Sequence, residues 1–484
     1  MEVHIMNKKV LSLGVMLSLA TTGAMAADVV TTSVNNGDQL SKYQKEAIQL
    51  TQKQLAEKSV QDSKTYESKL DLDESRTIDL ALANNRTAKQ TKWGYEAAKS
   101  AVSQVAAAKN PSVSYGWSAQ KTGGDTGRGK SGSHNFSISA PVFNPQLDAS
   151  IDSARYTREG TGASYEEALQ QAKYDAISGY YTLIMNRNLV DVAQQAVKDY
   201  QGHVTNVQAQ YNVGLVASSD VLAAKTNLAD SETNLVKAQN VANLAEASLN
   251  QVIAYPVQTA INTAEHDLQY KPYNVTLEQA KAYALLHRSA LVKSALDVKS
   301  AKSGYLPTVA VKAGRGYADL DGYFGTSTKS WSVGATASWS LWDGGATQNA
   351  IKKANAQLEQ AKEANLATVD AVLLAVQKAY LNLRSAEQTI QSTQTAVAQG
   401  QESFRIATLR YRAGVGTNLD VLDAETKLTD ARNNYVQALY NYNISIAALE
   451  QLTGVPLNTP VGQGAGIIAN SGAAEQLAQL GGNQ

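Results

Sequence analysis

Cysteine is absent from all 484 residues. That excludes disulfides, thiolate metal sites and thiol nucleophiles, and with them a lipidated N-terminal cysteine. An excess of charge of one sign is also missing. Lys and Arg total 43 against 43 Asp and Glu, so electrostatics gives no argument for nucleic acid or an anionic surface as partner. The five histidines show no metal-ligand spacing. No glycine-rich phosphate loop or Ser/His/Asp arrangement stands in a supporting context. Enzyme activity, cofactor and metal are therefore not expected. Past the N-terminus, no apolar run approaches the ~20 residues of a membrane-spanning helix. The mature chain is expected either to be soluble or to enter a membrane as strands.

The N-terminus reads as a secretory signal peptide over residues 1–26. Asn7, Lys8 and Lys9 form the positive region, Val10 to Ala20 the apolar run, and Ala24-Met25-Ala26 the small-x-small cleavage pattern.

Behind it the chain repeats. Tyr211-Asn212-Val213-Gly214-Leu215, followed by Asp220-Val221-Leu222-x-Ala224, reappears as Tyr411-Arg412-Ala413-Gly414-Val415, followed by Asp420-Val421-Leu422-x-Ala424. Asn110-Pro111-Ser112-Val113 echoes Leu306-Pro307-Thr308-Val309. An internal duplication follows: a first repeat over 70–254, a linker over 255–275 and a second repeat over 276–454. Each is expected to run helix, two strands, very long helix, glycine turn, long helix. The eight prolines fall at junctions, with Asn144 and Pro145 placed to cap and open a helix. From Asn144 to Gly214 is 70 positions, and from Asp343 to Gly414 is 71. At ~1.5 Å per residue each helix would be about 100 Å long. Val421, Ala424, Leu428, Ala431, Tyr435, Ala438 and Tyr442 recur in steps of three and four, a coiled-coil period. Leu422, Leu439 and Ile446 form a second stripe. Small residues in two stripes suit helices ringed around a hollow, and a plain filamentous coiled coil is the alternative.

Four segments alternate with period two. They are 111–120, 134–143, 307–317 and 330–342, the clearest being Trp331, Val333, Ala335, Ala337, Trp339 and Leu341 against Ser, Gly and Thr. Their length suits tilted outer-membrane strands. Trp117, Trp331, Trp339 and Trp342 sit in or at the end of these windows, where interfacial aromatics belong. Gln120 to Ser133 and Ala318 to Ser330 read as polar hairpin loops. A half-buried soluble sheet is the other reading. Four strands cannot close a membrane barrel, whose minimum is about eight, so membranous strands would require more than one copy.

These motifs, with Ser338-Trp339-Ser340-Leu341-Trp342-Asp343-Gly344-Gly345 and Leu409-x-Tyr-x-x-Gly, resemble the TolC family of outer-membrane efflux proteins over roughly Leu70 to Gly454. The resemblance implies an α+β membrane protein, a homotrimer whose 12-stranded transmembrane β-barrel continues into an α-helical coiled-coil periplasmic tunnel. It implies location in the outer membrane with a large periplasmic portion, and contact with outer-membrane lipid. The implied partners are a periplasmic adaptor (membrane fusion) protein and an inner-membrane RND, ABC or MFS transporter. The implied role is exit duct for efflux or type I secretion. A coiled-coil adaptor or structural protein is the runner-up, although neither a lipoyl-like domain nor an inner-membrane anchor is visible.

At the turns, Gly214 and Gly414 are expected to adopt left-handed C′ positions, with Ser218 and Thr417 as N-caps. Asp220 and Asp420 fall in the first helical turn, favoured by the helix dipole. The resemblance assigns Asp420 and Asp423 to a ring of carboxylates at a closed aperture, beside Tyr411; dipole stabilisation is the alternative. Gly416 stands where the family carries a latching Arg. Gly214, Leu215, Val216, Gly414 and Val415 are candidate adaptor-docking residues or simple turn formers. Residues 27–69 read as an N-terminal periplasmic extension, a collar or a tether, with helix over 41–58. Residues 455–484 read as a flexible tail.

Overall fold

The computed structural model describes residues 47–57, 69–124, 127–287, 302–319, 327–472 and 475. The signal-peptide segment lies outside them. The chain divides into a small unit, Met1–Leu70 with Tyr255–Ala260, and a large one, Asp71–Ala254 with Ile261–Gln484. The described stretch 47–57 of the small unit is helical.

The large unit opens with the end of β1 (Lys69–Leu72), then α1 (Glu74–Asn84) and α2 (Arg86–Ala107). Next come β2 (Ser112–Gly124), β3 (Gly127–Phe143), α3 (Pro145–Asn212) and α4 (Ser218–Val252). After β4 (Ala260–Thr263) and α5 (Leu277–His287) follow β5 (Thr308–Asp319), β6 (Ser327–Ser338), α6 (Ala346–Arg412), α7 (Asn418–Thr453) and α8 (Gly464–Asn470). At 68 and 67 residues, α3 and α6 are each about 100 Å long. Asn144 accepts from the Leu147 amide at 3.1 Å and Pro145 takes the first position of α3. α6 starts at Ala346, directly after Gly345. Gly344 and Gly345 are left-handed, and the Asp343 carboxylate accepts the Gly345 and Thr347 amides at 3.0 and 2.7 Å. The Thr347 hydroxyl, which also donates to this carboxylate, and then the two amides pull Asp343 below the usual carboxylate range.

α3 packs on α4 and α7, and α6 on α7. The seams are small and apolar: Val372, Val376, Ala379 and Leu383 are buried on one side of α6, while Leu366, Leu374 and Leu381 are exposed on another. Among the described helices α6 alone holds an 18-residue window apolar enough for a membrane span, at mean hydropathy 1.2. Its two apolar stripes account for that.

The strands form one antiparallel sheet in the order β2-β3-β5-β6. One face carries Val113, Ile138, Ala313 and Val333 in register, flanked by Ala140, Val311 and Ala335. The other carries hydroxyls that bond across strands, Ser114 to Ser137 at 2.7 Å and Ser118 to Ser133 at 2.8 Å. These pairs carry the ladder out to Gly124 opposite Gly127, and β5–β6 reaches Asp319 opposite Ser327. Of the expected loops, 120–124 and 127–133 in the first and 318–319 and 327–330 in the second are therefore strand, and the rest lies outside the described residues. β6 stops at Ser338 rather than 342, because Ser338 faces Thr308, the first residue of β5, and Pro307 before it has no N–H to extend the ladder; the Trp339 indole N–H bonds the Tyr305 carbonyl at 3.1 Å. Pro141 lies inside β3, at a register shift between Pro141 and Phe143, where its missing N–H disturbs the ladder least.

Residues 455–472 of the tail also depart from expectation, while 473–474 and 476–484 lie outside the described residues. Lys173 donates to the Pro456 carbonyl at 3.0 Å and Gln170 to that of Val455 at 3.1 Å. Glu74 accepts the Val461 amide, and Glu450 accepts the Gly462 and Gly464 amides, both at 3.0 Å. Charge-assisted bonds to buried carboxylates hold as ordered structure a segment whose composition reads as flexible. Burial pushes the Glu74 and Glu450 carboxyls up and the Lys173 ammonium down.

Candidate functional site: the paired helical turns

Two turns link the long helices, α3 to α4 and α6 to α7. Their backbones match. Gly214 and Gly414 have φ of 79° and 75°. Leu215 N–H bonds the Gln210 carbonyl at 2.9 Å, and Val415 N–H the Arg410 carbonyl at 3.0 Å. This bond from the C″ position closes the helix end with a left-handed glycine.

The caps differ. Thr417 and Asp420 form a full capping box. The Asp420 amide donates to the Thr417 hydroxyl at 3.1 Å, and the Thr417 amide to the Asp420 carboxylate at 2.9 Å. The second bond lowers the Asp420 pKa. Ser218 is not the cap of α4; that position is Ala217, which has no side chain to serve, and the Asp220 amide bonds the Ala217 carbonyl at 3.1 Å.

Side chains join the two turns. Tyr411 is 4 % exposed and clusters with Val207, Val221, Ala224 and Val421. The His203 ring lies 5.2 Å from it. His203 Nε2 meets Asn418 Oδ1 at 2.6 Å, and Asn418 Nδ2 donates to the Asp220 carbonyl at 3.3 Å. That second bond fixes the amide orientation, so His203 carries its proton on Nε2 and leaves Nδ1 bare. Among the described residues neither Nδ1 nor the Tyr411 hydroxyl has a partner. Burial lowers the His203 pKa, and burial with the nearby Asp220 raises that of Tyr411. Along the seam, Glu425 is 1 % exposed. Burial and Asp199 push its carboxyl up to about 8, against the Thr429 hydroxyl bond and Arg432. His203, Asn418 and Glu425 are absent from the sequence-derived site.

Of the expected site residues, Tyr411 packs inside, while Asp420 and Asp423 are exposed. Asp420 is engaged in its cap, and Asp423 is paired with Lys427 at 2.7 Å. Leu215 and Val415 stand out in solvent with Leu419, a residue sequence reasoning passed over. Val216 instead packs against the Tyr411 cluster. Gly416 sits close to the preceding helix end: an added Cβ would lie 3.1 Å from both the Arg410 Cβ and the Tyr411 amide nitrogen, which would have to give by a few tenths of an ångström.

At the sheet, Trp117 and Trp331 lie on the apolar face. The register sets Tyr115–Phe136–Arg315–Trp331 in one row and Trp117–His134–Tyr317–Lys329 in the next. Trp339 and Trp342 follow β6 at the end nearer the helices and are exposed.

The model describing the outer membrane efflux protein family matches residues 77–254 and 275–455. Outer membrane protein TolC of Escherichia coli (strain K12) is 26% identical over 310 residues, 60% of this chain and 63% of that protein. The match thus spans under two thirds of that relative. Among solved structures, the transmembrane channel CusC aligns with TM-score 0.70 at 17% identity, over 78% of this chain and 91% of its own. The outer membrane protein VceC of Vibrio cholerae aligns with TM-score 0.68 at 20% identity, over 79% and 96%.

Proposed function

As a member of the outer membrane efflux protein family, this chain serves, we propose, as the outer-membrane exit duct of an efflux or type I secretion system. The observation that carries the proposal is the junction of one amphipathic four-stranded sheet to helices of 68 and 67 residues. A sheet with one apolar and one hydroxyl-lined face suits lipid outside and water inside. Its edges, β2 and β6, would leave unpaired backbone groups that lipid does not tolerate. Pairing β6 of one copy with β2 of the next removes them, and a homotrimer gives a barrel of 12 strands. Trp331 and Trp339 are eight residues apart in sequence, about 27 Å along an extended strand at ~3.4 Å per residue. At a strand tilt of about 40° that is roughly 21 Å of height, close to the ~25 Å apolar band between two aromatic girdles.

The long helices would continue the barrel as a periplasmic tunnel, built in each copy from an internal duplication. The turns lie at its far end. There Leu215, Val415 and Leu419 offer apolar contacts to a periplasmic adaptor working with an inner-membrane transporter. Asp420 and Asp423 of three copies would place six carboxylates about the aperture, favouring cations.

Purified protein in planar bilayers is the test. Stable conductance is expected, and Asp420→Asn with Asp423→Asn should weaken block by trivalent cations. A protein that never conducts would end the duct reading. Unchanged block would return both aspartates to capping and surface pairing.

A further inference from the structure

The apolar face of the sheet carries charge at one end only. Arg315 stands beside Trp331 and Phe136 in one row, and Lys329 and His134 flank Tyr317 in the next. Arg315 and Lys329 are exposed, and among the described residues neither is paired with a carboxylate. The one charged-group contact there is Arg315 over the Tyr317 ring at 5.4 Å. No acid occupies either row; Asp319 follows in the row nearer the hairpin end. The rows nearer the helices, Ala140–Val311–Ala335 and Val309–Ala337, are uncharged. Lys312 falls on the opposite, polar face, between Ser139 and Gly334.

Exposed cations on a lipid-facing surface need a counter-ion, and the two rows contain none. Both rows lie toward the hairpin ends, away from the ends that join the helices, and so in the outer leaflet if the helices are periplasmic. Aromatic rings settle at headgroup depth, and a guanidinium fork matches phosphate oxygens with two parallel bonds.

We propose that Arg315, Lys329 and His134, set among these aromatic rings, form a binding belt for the phosphorylated headgroup of an outer-leaflet lipid. The inference rests on the barrel reading and adds a chemically specific lipid site to it. Arg315 supplies the fork, Lys329 a point charge and His134 its Nε2, since Nδ1 is held by the Tyr115 hydroxyl at 2.7 Å, while Trp331 and Trp117 seat against the adjoining acyl chains.

The test uses the full-length protein, delipidated and reconstituted in phosphatidylcholine vesicles containing either diphosphoryl lipid A or the same lipid with both phosphates removed. Native mass spectrometry then counts the lipid A retained on release into detergent. Retention of the diphosphoryl form should exceed that of the dephosphorylated form at least tenfold. Lys329→Gln should reduce the preference, and Arg315→Gln with Lys329→Gln should abolish it. Equal retention of the two lipids by the wild-type protein overturns the proposal without any variant. Displacement of the lipid by excess inorganic phosphate would show a free-anion site and overturns it as well. Wild-type conductance is recorded in a phosphatidylcholine bilayer in parallel. Conductance with equal retention sinks the belt alone, whereas loss of conductance sinks the duct on which it rests.

Discussion

The two helical turns have nearly superposable bonding schemes and opposite surroundings. Tyr211 and Tyr411 hold the same place before their glycines, yet Tyr211 is 43 % exposed and Tyr411 is 4 %. Leu222 and Leu422 repeat the contrast at 65 % and 8 %. The backbone of each turn follows from a local glycine and its return bonds, so both halves reproduce it. The environment of each side chain depends on the neighbour across the seam. The first hairpin packs against the second, giving Tyr411 the cluster of Val207, Val221 and Ala224, while nothing among the described residues gives Tyr211 an equivalent. In the proposed trimer, the second hairpin of the next copy would.

Truncation breaks this comparison most strongly. Tyr411→Ala should destabilise the helical seam by ~3–5 kcal/mol, the cost of removing a buried aromatic ring. Tyr211→Ala should shift a dissociated protomer by less than ~0.5 kcal/mol. Thermal melts of the helical signal, taken on protomer and on assembled protein, measure both. A large Tyr211 effect confined to the assembled protein would identify that exposed face as the intersubunit seam. Equal effects in the protomer would mean the contrast in burial is not real.

Titration sharpens the comparison next. The buried His203–Asn418 bond exists on one side only, because Ser403 and Ser218 hold the corresponding positions. The His203 pKa is lowered, so its contribution is present above ~6.5 and is lost as pH falls through the lower folded value. Glu425 runs the other way. With its pKa raised to about 8, its contribution is full below ~4.5 and is lost as pH rises through about 8. Each group changes seam stability by at most ~1.4 kcal/mol per pH unit. His203→Gln should flatten the acid limb of melting temperature against pH, and Glu425→Gln the alkaline limb. A variant that leaves its own limb intact would show that another group carries it.

What the sequence reveals divides along the same line. Features set by near neighbours are legible: the left-handed glycines, the Asn144 and Thr417 caps and the two-residue alternation of the sheet. Features set across the seam are not. His203 and Asn418 are 215 positions apart, and neither residue type announces a partner. Glu425 sits in a helical pattern where a carboxylate reads as solvated. Residues 455–472 have the composition of a loose tail, but Glu74, 387 positions before Val461, supplies one of the acceptors that hold them. The hairpin ends of the strands lie further out than alternation alone indicates, because serine and glycine serve as well in a hydroxyl-paired ladder as in a loop.

The smallest expected effect tests whether the turns are interchangeable where they should be. Thr417→Ala removes one half of a capping box and should cost about 1 kcal/mol. The converse change, Ala217→Thr, should gain about half that. Ala217 already has the extended backbone of a cap, φ −77° and ψ 158°, close to the −98° and 157° of Thr417. Asp220 already stands three residues on, as Asp420 does, so one hydroxyl would complete the box. Ala217 is exposed, so the added atoms meet solvent rather than a packed wall. Guanidine melts of the two single variants and of the double swap read the result, and the pair should nearly cancel. Loss of stability in Ala217→Thr would mean that the matching return bonds at Leu215 and Val415 conceal turns of different shape. A gain would leave the neighbour across the seam as the source of the difference between the two turns.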